Sequence, residues 1–346
     1  MIKKLLIVLI SMTFVIGGAA APILAKGNGP NYGGNETVNT SILHTYEEME
    51  DYLEKQEKKQ NDMELEVIGQ TVKERDIHLV KYMKNPDNPT ILYLAQQHGD
   101  EALVTEGMLE FIKHLGTGKT KGVTENVNLL FIPMYNADGS MGDVDYPLED
   151  YAVTGDRNLT RYNANEVDLN RDHADKTQPE TQALHQNVLE KYDIDYMMDL
   201  HHQGAQWVID GNFVSGAIFP PHEDYTDPAV LKKSKQLGTV VYDRIEPKGW
   251  GLLANYAGPG SAYSEEIGVY GIASNYDIST FLFEMRGTQD NAFDFEVLGQ
   301  KSNGYLIKQA YEAMDASARA IGDGSIEDKD ISFWDTLPVQ EDIREQ

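Results

Sequence analysis

Ile91-Leu92-Tyr93-Leu94-Ala95-Gln96-Gln97-His98-Gly99-Asp100-Glu101 passes from five apolar residues into a polar turn carrying a histidine and a glutamate three positions apart. A short unbroken apolar run that ends in such a turn reads as a strand buried on both faces, as in a parallel sheet. Three further runs repeat the pattern, at residues 129–134, 196–200 and 281–283. Helical periodicity separates several of them. Residues 101–115 set Leu103, Met108, Leu109, Phe111 and Ile112 largely on one face, and residues 180–192 and 306–321 are similar. Ahead of the first run, residues 46–57 read as a helix, and 65–72 and 78–83 as two strands of a hairpin or sheet edge. Strands alternating with helices predict a single α/β domain, a mixed and mostly parallel sheet covered by helices on both faces. The functional site is expected at the carboxyl ends of its strands.

The polar turn after Ala95 then acquires a chemical reading. His98 and Glu101 sit at a strand-to-helix junction with a spacing that lets both side chains reach one ion. A catalytic zinc takes three protein ligands of nitrogen or oxygen type and keeps one position open, so the third ligand should come from another strand end. His201, directly after the run 196–200, supplies it; the adjacent His202 is the competing choice, and alternation along a strand sends the two neighbours to opposite faces. A lone His-x-x-Glu pair is equally well a surface histidine beside a helix-capping carboxylate. Glu284 stands out separately, because a carboxylate following Phe281, Leu282 and Phe283 lies in or near apolar surroundings and needs a reason; a buried ion pair with Arg286 is the structural alternative.

Composition narrows the partners. The 346 residues carry 56 Asp and Glu against 29 Lys and Arg, a formal charge of -27 that repels nucleic acid and anionic lipid head groups. Cysteine is absent, which excludes disulfides and every thiolate zinc site and leaves only His and carboxylate ligands. Lys3 and Lys4 precede an apolar stretch at residues 5–16, followed by Ala19, Ala20, Ala21 and Ala25, the pattern of an export signal over residues 1–25. Ser11, Thr13, Gly17 and Gly18 break the stretch, against a membrane anchor, so a secreted chain without a stable span is expected. Residues 26–41, rich in Gly and Asn, read as a flexible lead-in, 42–322 as one catalytic domain, and 323–346 as an acidic tail that Phe333, Trp334 and Leu337 could pin to the body.

Four blocks carry a family resemblance. His98-Gly99-Asp100-Glu101, Val167-Asp168-Leu169-Asn170-Arg171, Asp199-Leu200-His201 and Phe281-Leu282-Phe283-Glu284-Met285-Arg286 occur in the order found in carboxypeptidase A-type zinc metallocarboxypeptidases. The chain resembles that family from Tyr46 to about Ile321. The resemblance implies a mixed eight-stranded sheet, one zinc ion on His98, Glu101 and His201, and Glu284 as the catalytic acid/base. It implies that Asp168 accepts the spare N–H of His98, that Asn170 and Arg171 bind the terminal carboxylate of a peptide substrate, and that Arg161 polarises the scissile carbonyl, with Arg157 as the rival. The Arg side chain suits a carboxylate because its planar fork matches two oxygens. Tyr263 is the candidate for the tyrosine that closes over substrate, with Tyr270 and Tyr276 competing. Counting back from Glu284 places Val269 at the pocket floor, favouring apolar or aromatic last residues; Glu265 or Glu266 there would favour Lys or Arg.

Two departures accompany the match. Asp100 stands where animal digestive members carry an arginine, and the short lead-in replaces their folded pro-segment. Residues 116–120, Gly-Thr-Gly-Lys-Thr, imitate the end of a phosphate loop, but Lys113 occupies the place of its first glycine and a helix precedes it. His-Glu-x-x-His and Gly-x-Ser-x-Gly motifs are absent. The rival functions are hydrolysis of cell-wall stem peptides or of N-acyl amino acids at the same site, and a non-catalytic binding protein that kept the fold. Composition and motifs leave the oligomeric state open.

Overall fold

The computed structural model describes residues 43–120, 122–148, 153–154, 157–204, 207–248, 251–256, 264–286 and 301–342. The expected export signal, the lead-in and Tyr263 lie outside the described residues. Strands β1 (Glu64–Gln70), β2 (Asp76–Tyr82), β3 (Thr90–Ala95), β4 (Asn128–Ile132), β5 (Tyr196–Gln203), β6 (Gly216–Phe219), β7 (Leu253–Asn255) and β8 (Ser279–Arg286) form one sheet in the order β1-β2-β4-β3-β5-β8-β6-β7. The four unbroken apolar runs are its four central strands, β4, β3, β5 and β8, and each pairs with the next in parallel. β1 and β2 make the antiparallel edge, and β6 turns antiparallel to β8.

Both faces of these strands are covered, which is why their sequences do not alternate. Along β3, Ile91, Tyr93 and Ala95 face one layer while Leu92 and Leu94 face the other. The first layer is closed by helices α1 (Tyr46–Glu57), α2 (Ala102–Leu115), α4 (Pro228–Ile245) and α6 (Lys301–Gly322), whose Leu53, Phe111, Val241 and Met314 belong to the same apolar cluster. The second is closed by α3 (Pro179–Leu184) and α5 (Gly268–Tyr276) through Leu184 and Ile272. Each fully buried Leu, Ile or Phe stabilises the fold by roughly 1.5–3 kcal/mol relative to leaving it in water.

Two details depart from the sequence pattern, and a third fixes where the acidic tail lies. Strands β5 and β8 run on through His201 to Gln203 and through Glu284 to Arg286, because backbone pairing between them continues past the last apolar residue. The helix expected over 180–192 is α3 followed by a wider π turn, His185–Leu189, that faces His185 inward. Residues after 323 join the body: Trp334 and Leu337 are buried in the first layer, Trp334 Nε1 donates to Lys235 O at 2.9 Å, and Glu341–Asp342 pairs antiparallel with Trp207–Ile209. Among the described residues, no helix is long and apolar enough to cross a membrane.

Candidate active site

Register brings the chemistry together. Ala95 pairs with Leu200, and Glu284 pairs with His201, so the residues just past β3 and the polar ends of β5 and β8 meet at one edge of the sheet. The chain leaves β3 through Gln96 at φ 60°, a left-handed conformation uncommon for a residue with a side chain. That turn is held by the Gln96 amide, which donates to Gly99 O and Ser140 Oγ and accepts from Thr105 Oγ1. At Gly99 a Cβ would overlap the backbone of Gly139 and Ser140, so only glycine fits at the position after His98. Glu101 stands at the N-cap of α2 but makes no side-chain cap; its carboxylate points into the site instead.

His98 Nδ1 lies 2.7 Å from Glu101 Oε1, His201 Nδ1 lies 2.9 Å from Glu101 Oε2, and the two Nδ1 atoms are 3.1 Å apart. All three side chains are buried, and these three residues form the one His/Asp/Glu group of metal-site geometry among the described residues. Burial pushes the Glu101 carboxyl up, but the His98 and His201 charges outweigh it and hold it well below the usual range. Glu284 Oε2 has no hydrogen-bond partner within the described residues. Two imidazole nitrogens turned toward each other across a carboxylate, beside an orphaned buried oxygen, form a donor set that fits a zinc ion.

Around this centre, Asp168 accepts on both sides: His98 Nε2 lies 3.2 Å from Oδ1, while Arg161 donates to Oδ2 through Nε at 2.9 Å and Nη2 at 2.7 Å. Asp168 also caps the short helical turn Leu169–Arg171, accepting from Asn170 N. Burial raises its carboxyl, but hydrogen bonding to His98 and the charges of His98, Arg161 and Arg171 hold it well below the usual range. Arg161 keeps Nη1 directed at the centre, 3.2 Å from His98 Nδ1. The side chain of Arg157 lies outside the described residues.

A cavity of about 260 Å³ opens beside the metal group, and His98, Arg161, Asn170, Arg171 and Glu284 all line it. Asn170 Oδ1 accepts from Gly268 N at 2.8 Å, which fixes the amide, whereas Arg171 is exposed at the rim. Burial pushes Glu284 up to about 7 against the lowering effect of His201. Val269, Tyr270, Leu282, Phe219 and Tyr256 give it an apolar and aromatic wall, beside the polar His202 and Gln203; Glu265 and Glu266 are exposed and do not contribute to it. Tyr270 lines the cavity, while Tyr276 lies elsewhere, within 2.7 Å of His185. His202 lines the cavity without entering the metal group.

Sequence reasoning assigned no role to Asp199, Gln97, His173 or Tyr256. Asp199 Oδ1 lies 3.0 Å from His201 Nε2 and its Oδ2 accepts from Gln97 Nε2 at 2.6 Å. Its signal was present: a charged residue inside the apolar run 196–200, the same anomaly that marked Glu284.

The sequence profile described as zinc carboxypeptidase matches residues 49–311. No curated protein sequence matches the chain. Among solved structures, a metallo-carboxypeptidase from Pseudomonas aeruginosa superposes with a TM-score of 0.59 at 19% identity, over 80% of this chain and 69% of that one. A carboxypeptidase A from Helicoverpa armigera gives 0.62 at 16% identity, over 87% and 78%. At these identities the structures support the fold, an eight-stranded mixed sheet between helices.

Proposed function

The chain belongs to the zinc carboxypeptidase family, and from that premise we propose that it is a secreted metallocarboxypeptidase that removes the last residue of peptides, favouring apolar or aromatic ones. The observation that carries this reading is one cavity beside the His98, Glu101 and His201 group, lined by His98 itself, by Glu284 and by the pair Asn170 and Arg171. Export rests on the charged and apolar pattern of residues 1–25.

His98 and His201, each through Nδ1, and Glu101 would hold the zinc ion, which when bound supplies Lewis acidity toward a carbonyl and an attacking water. Asp168 fixes the His98 ring by accepting at Nε2, leaving Nδ1 for the ion. Arg171, planar and exposed at the rim, receives the terminal carboxylate of the substrate together with the Asn170 amide. The side chain of the last residue enters the wall of Val269, Tyr270, Leu282 and Phe219. Glu284 takes a proton from the attacking water and returns it to the leaving amine, a task suited to a carboxyl that burial has raised. Arg161 Nη1 faces the oxyanion that develops on the carbonyl.

The dependence on Arg171 and Asn170 distinguishes removal of a last residue from cleavage inside a chain. Paired peptides ending in free carboxylate or in amide, incubated with zinc-loaded protein, should show release of the last residue from the free acid alone. Equal hydrolysis of both would remove the assigned role of the pair.

A further inference from the structure

We infer that Asp199, Gln97, His173, His185 and Tyr276 form a directional chain of polar groups that fixes the tautomer and ring orientation of His201. They act as positioning residues for the metal group, and the inference rests on the reading of His201 as a ligand given above.

The chain runs from the metal group into the second helical layer. His201 Nε2 lies 3.0 Å from Asp199 Oδ1. Gln97 Nε2 lies 2.6 Å from Asp199 Oδ2, Gln97 Oε1 2.8 Å from His173 Nε2, His173 Nδ1 3.1 Å from His185 Nε2, and His185 Nδ1 2.7 Å from Tyr276 Oη. Asp199, Gln97, His173 and His185 are buried, and only Tyr276 is partly exposed.

Chemistry allows one polarity along this path. Carboxylate oxygens only accept, so the Gln97 NH2 must face Asp199 and its carbonyl must face His173. His173 therefore carries its proton on Nε2 and presents a bare Nδ1. His185 answers with a proton on Nε2, which leaves its own Nδ1 to accept from the Tyr276 hydroxyl. At the other end, a proton on His201 Nε2 directed at Asp199 leaves Nδ1 bare beside His98 and Glu101, the face a metal ligand needs. Burial lowers His173 to about 4, and burial followed by the His173 charge lowers His185 to about 3, so both rings are neutral, as each link requires. A buried polar path with every member oriented by the next is rigid, because reversing one link would leave a donor facing a donor.

Two readouts on the full chain test this, neither of which is turnover. Nitrogen-detected histidine NMR of the zinc-loaded protein should find the protons of His173 and His185 on Nε2. Either proton on Nδ1 overturns the chain. Zinc affinity by chelator competition should fall on the order of 10- to 100-fold in Gln97→Leu, the range typical when a group orienting a ligand is lost. Unchanged affinity in a folded Gln97→Leu also overturns it. If that variant does not fold, the NMR tautomers of the unsubstituted chain decide alone. Failure of the unsubstituted protein to bind zinc would instead refute the metal site itself.

Discussion

Buried Glu284 and partly buried Asp168 are two carboxyl groups that their surroundings drive in opposite directions. Among the described residues Glu284 Oε2 has no hydrogen-bond partner, and burial pushes the carboxyl up to about 7. Asp168, between His98 and Arg161, is held well below the usual range. One is therefore suited to exchange a proton and the other to stay a fixed negative charge. Replacing Glu284 by Gln should preserve zinc stoichiometry while lowering kcat by roughly 10²- to 10⁴-fold, the usual contribution of a positioned acid/base. Metal analysis beside steady-state kinetics reads both quantities, and a fully active Glu284→Gln would remove the residue from the mechanism. Residues at this scale were legible where polarity broke an apolar run, as at Glu284. Gln97 and His173 were not, because nothing local distinguishes a buried polar relay from an ordinary turn; only the convergence of β3, β5 and the segment after Arg171 gives them partners.

Elements were easier to read than their ends. β3, β4, β5 and β8 announced themselves because burial on both faces demands unbroken apolar runs, whereas the ends of β5 and β8, broken by His201, His202, Gln203, Glu284 and Arg286, were invisible as strand. Those same residues hold His201 and Glu284 in register, so the sequence pattern weakens where function begins. The π turn His185–Leu189 was also hidden, its residues fitting an ordinary helix. It carries a testable consequence with the neighbouring His173. Both rings are neutral in the folded chain, with protonation pushed from the ordinary 6.5 down to about 4 and about 3 by burial. As pH falls below 6.5 the unfolded chain binds protons that the folded chain refuses, so this contribution is complete above 6.5 and is lost as pH falls through that window. The loss is on the order of a few kcal/mol. Urea unfolding of chelator-treated protein between pH 4 and 6.5 should show a flatter dependence for His185→Gln than for the unsubstituted chain. Identical slopes would contradict the neutral pair.

At the scale of the whole molecule, the acidic sequence after Asp323 packs against the body through Trp334 and Leu337, two of the three apolar residues its sequence offered for that contact. Trp334 lies against Gly238 and Phe281 is the other neighbour of that glycine, so the segment seals the helical layer beneath β8. Trp334→Ala should destabilise the fold by about 3–5 kcal/mol in denaturant melts, the cost of truncating a buried aromatic; a loss near zero would show the segment to be dispensable. Three apolar residues among many acids marked the points of contact, but without periodicity they could not say which layer receives them. The charge of -27 resides on the same molecule as a cavity whose rim offers Arg171, and a substrate carboxylate must find that local positive site. Purified protein of measured zinc content, incubated with peptides that differ only in the final residue, should release that residue, fastest for apolar and aromatic ones. Chelator should abolish the release and added zinc restore it. Zinc-loaded protein that hydrolyses none of the peptides, or activity that chelator leaves untouched, would contradict the account.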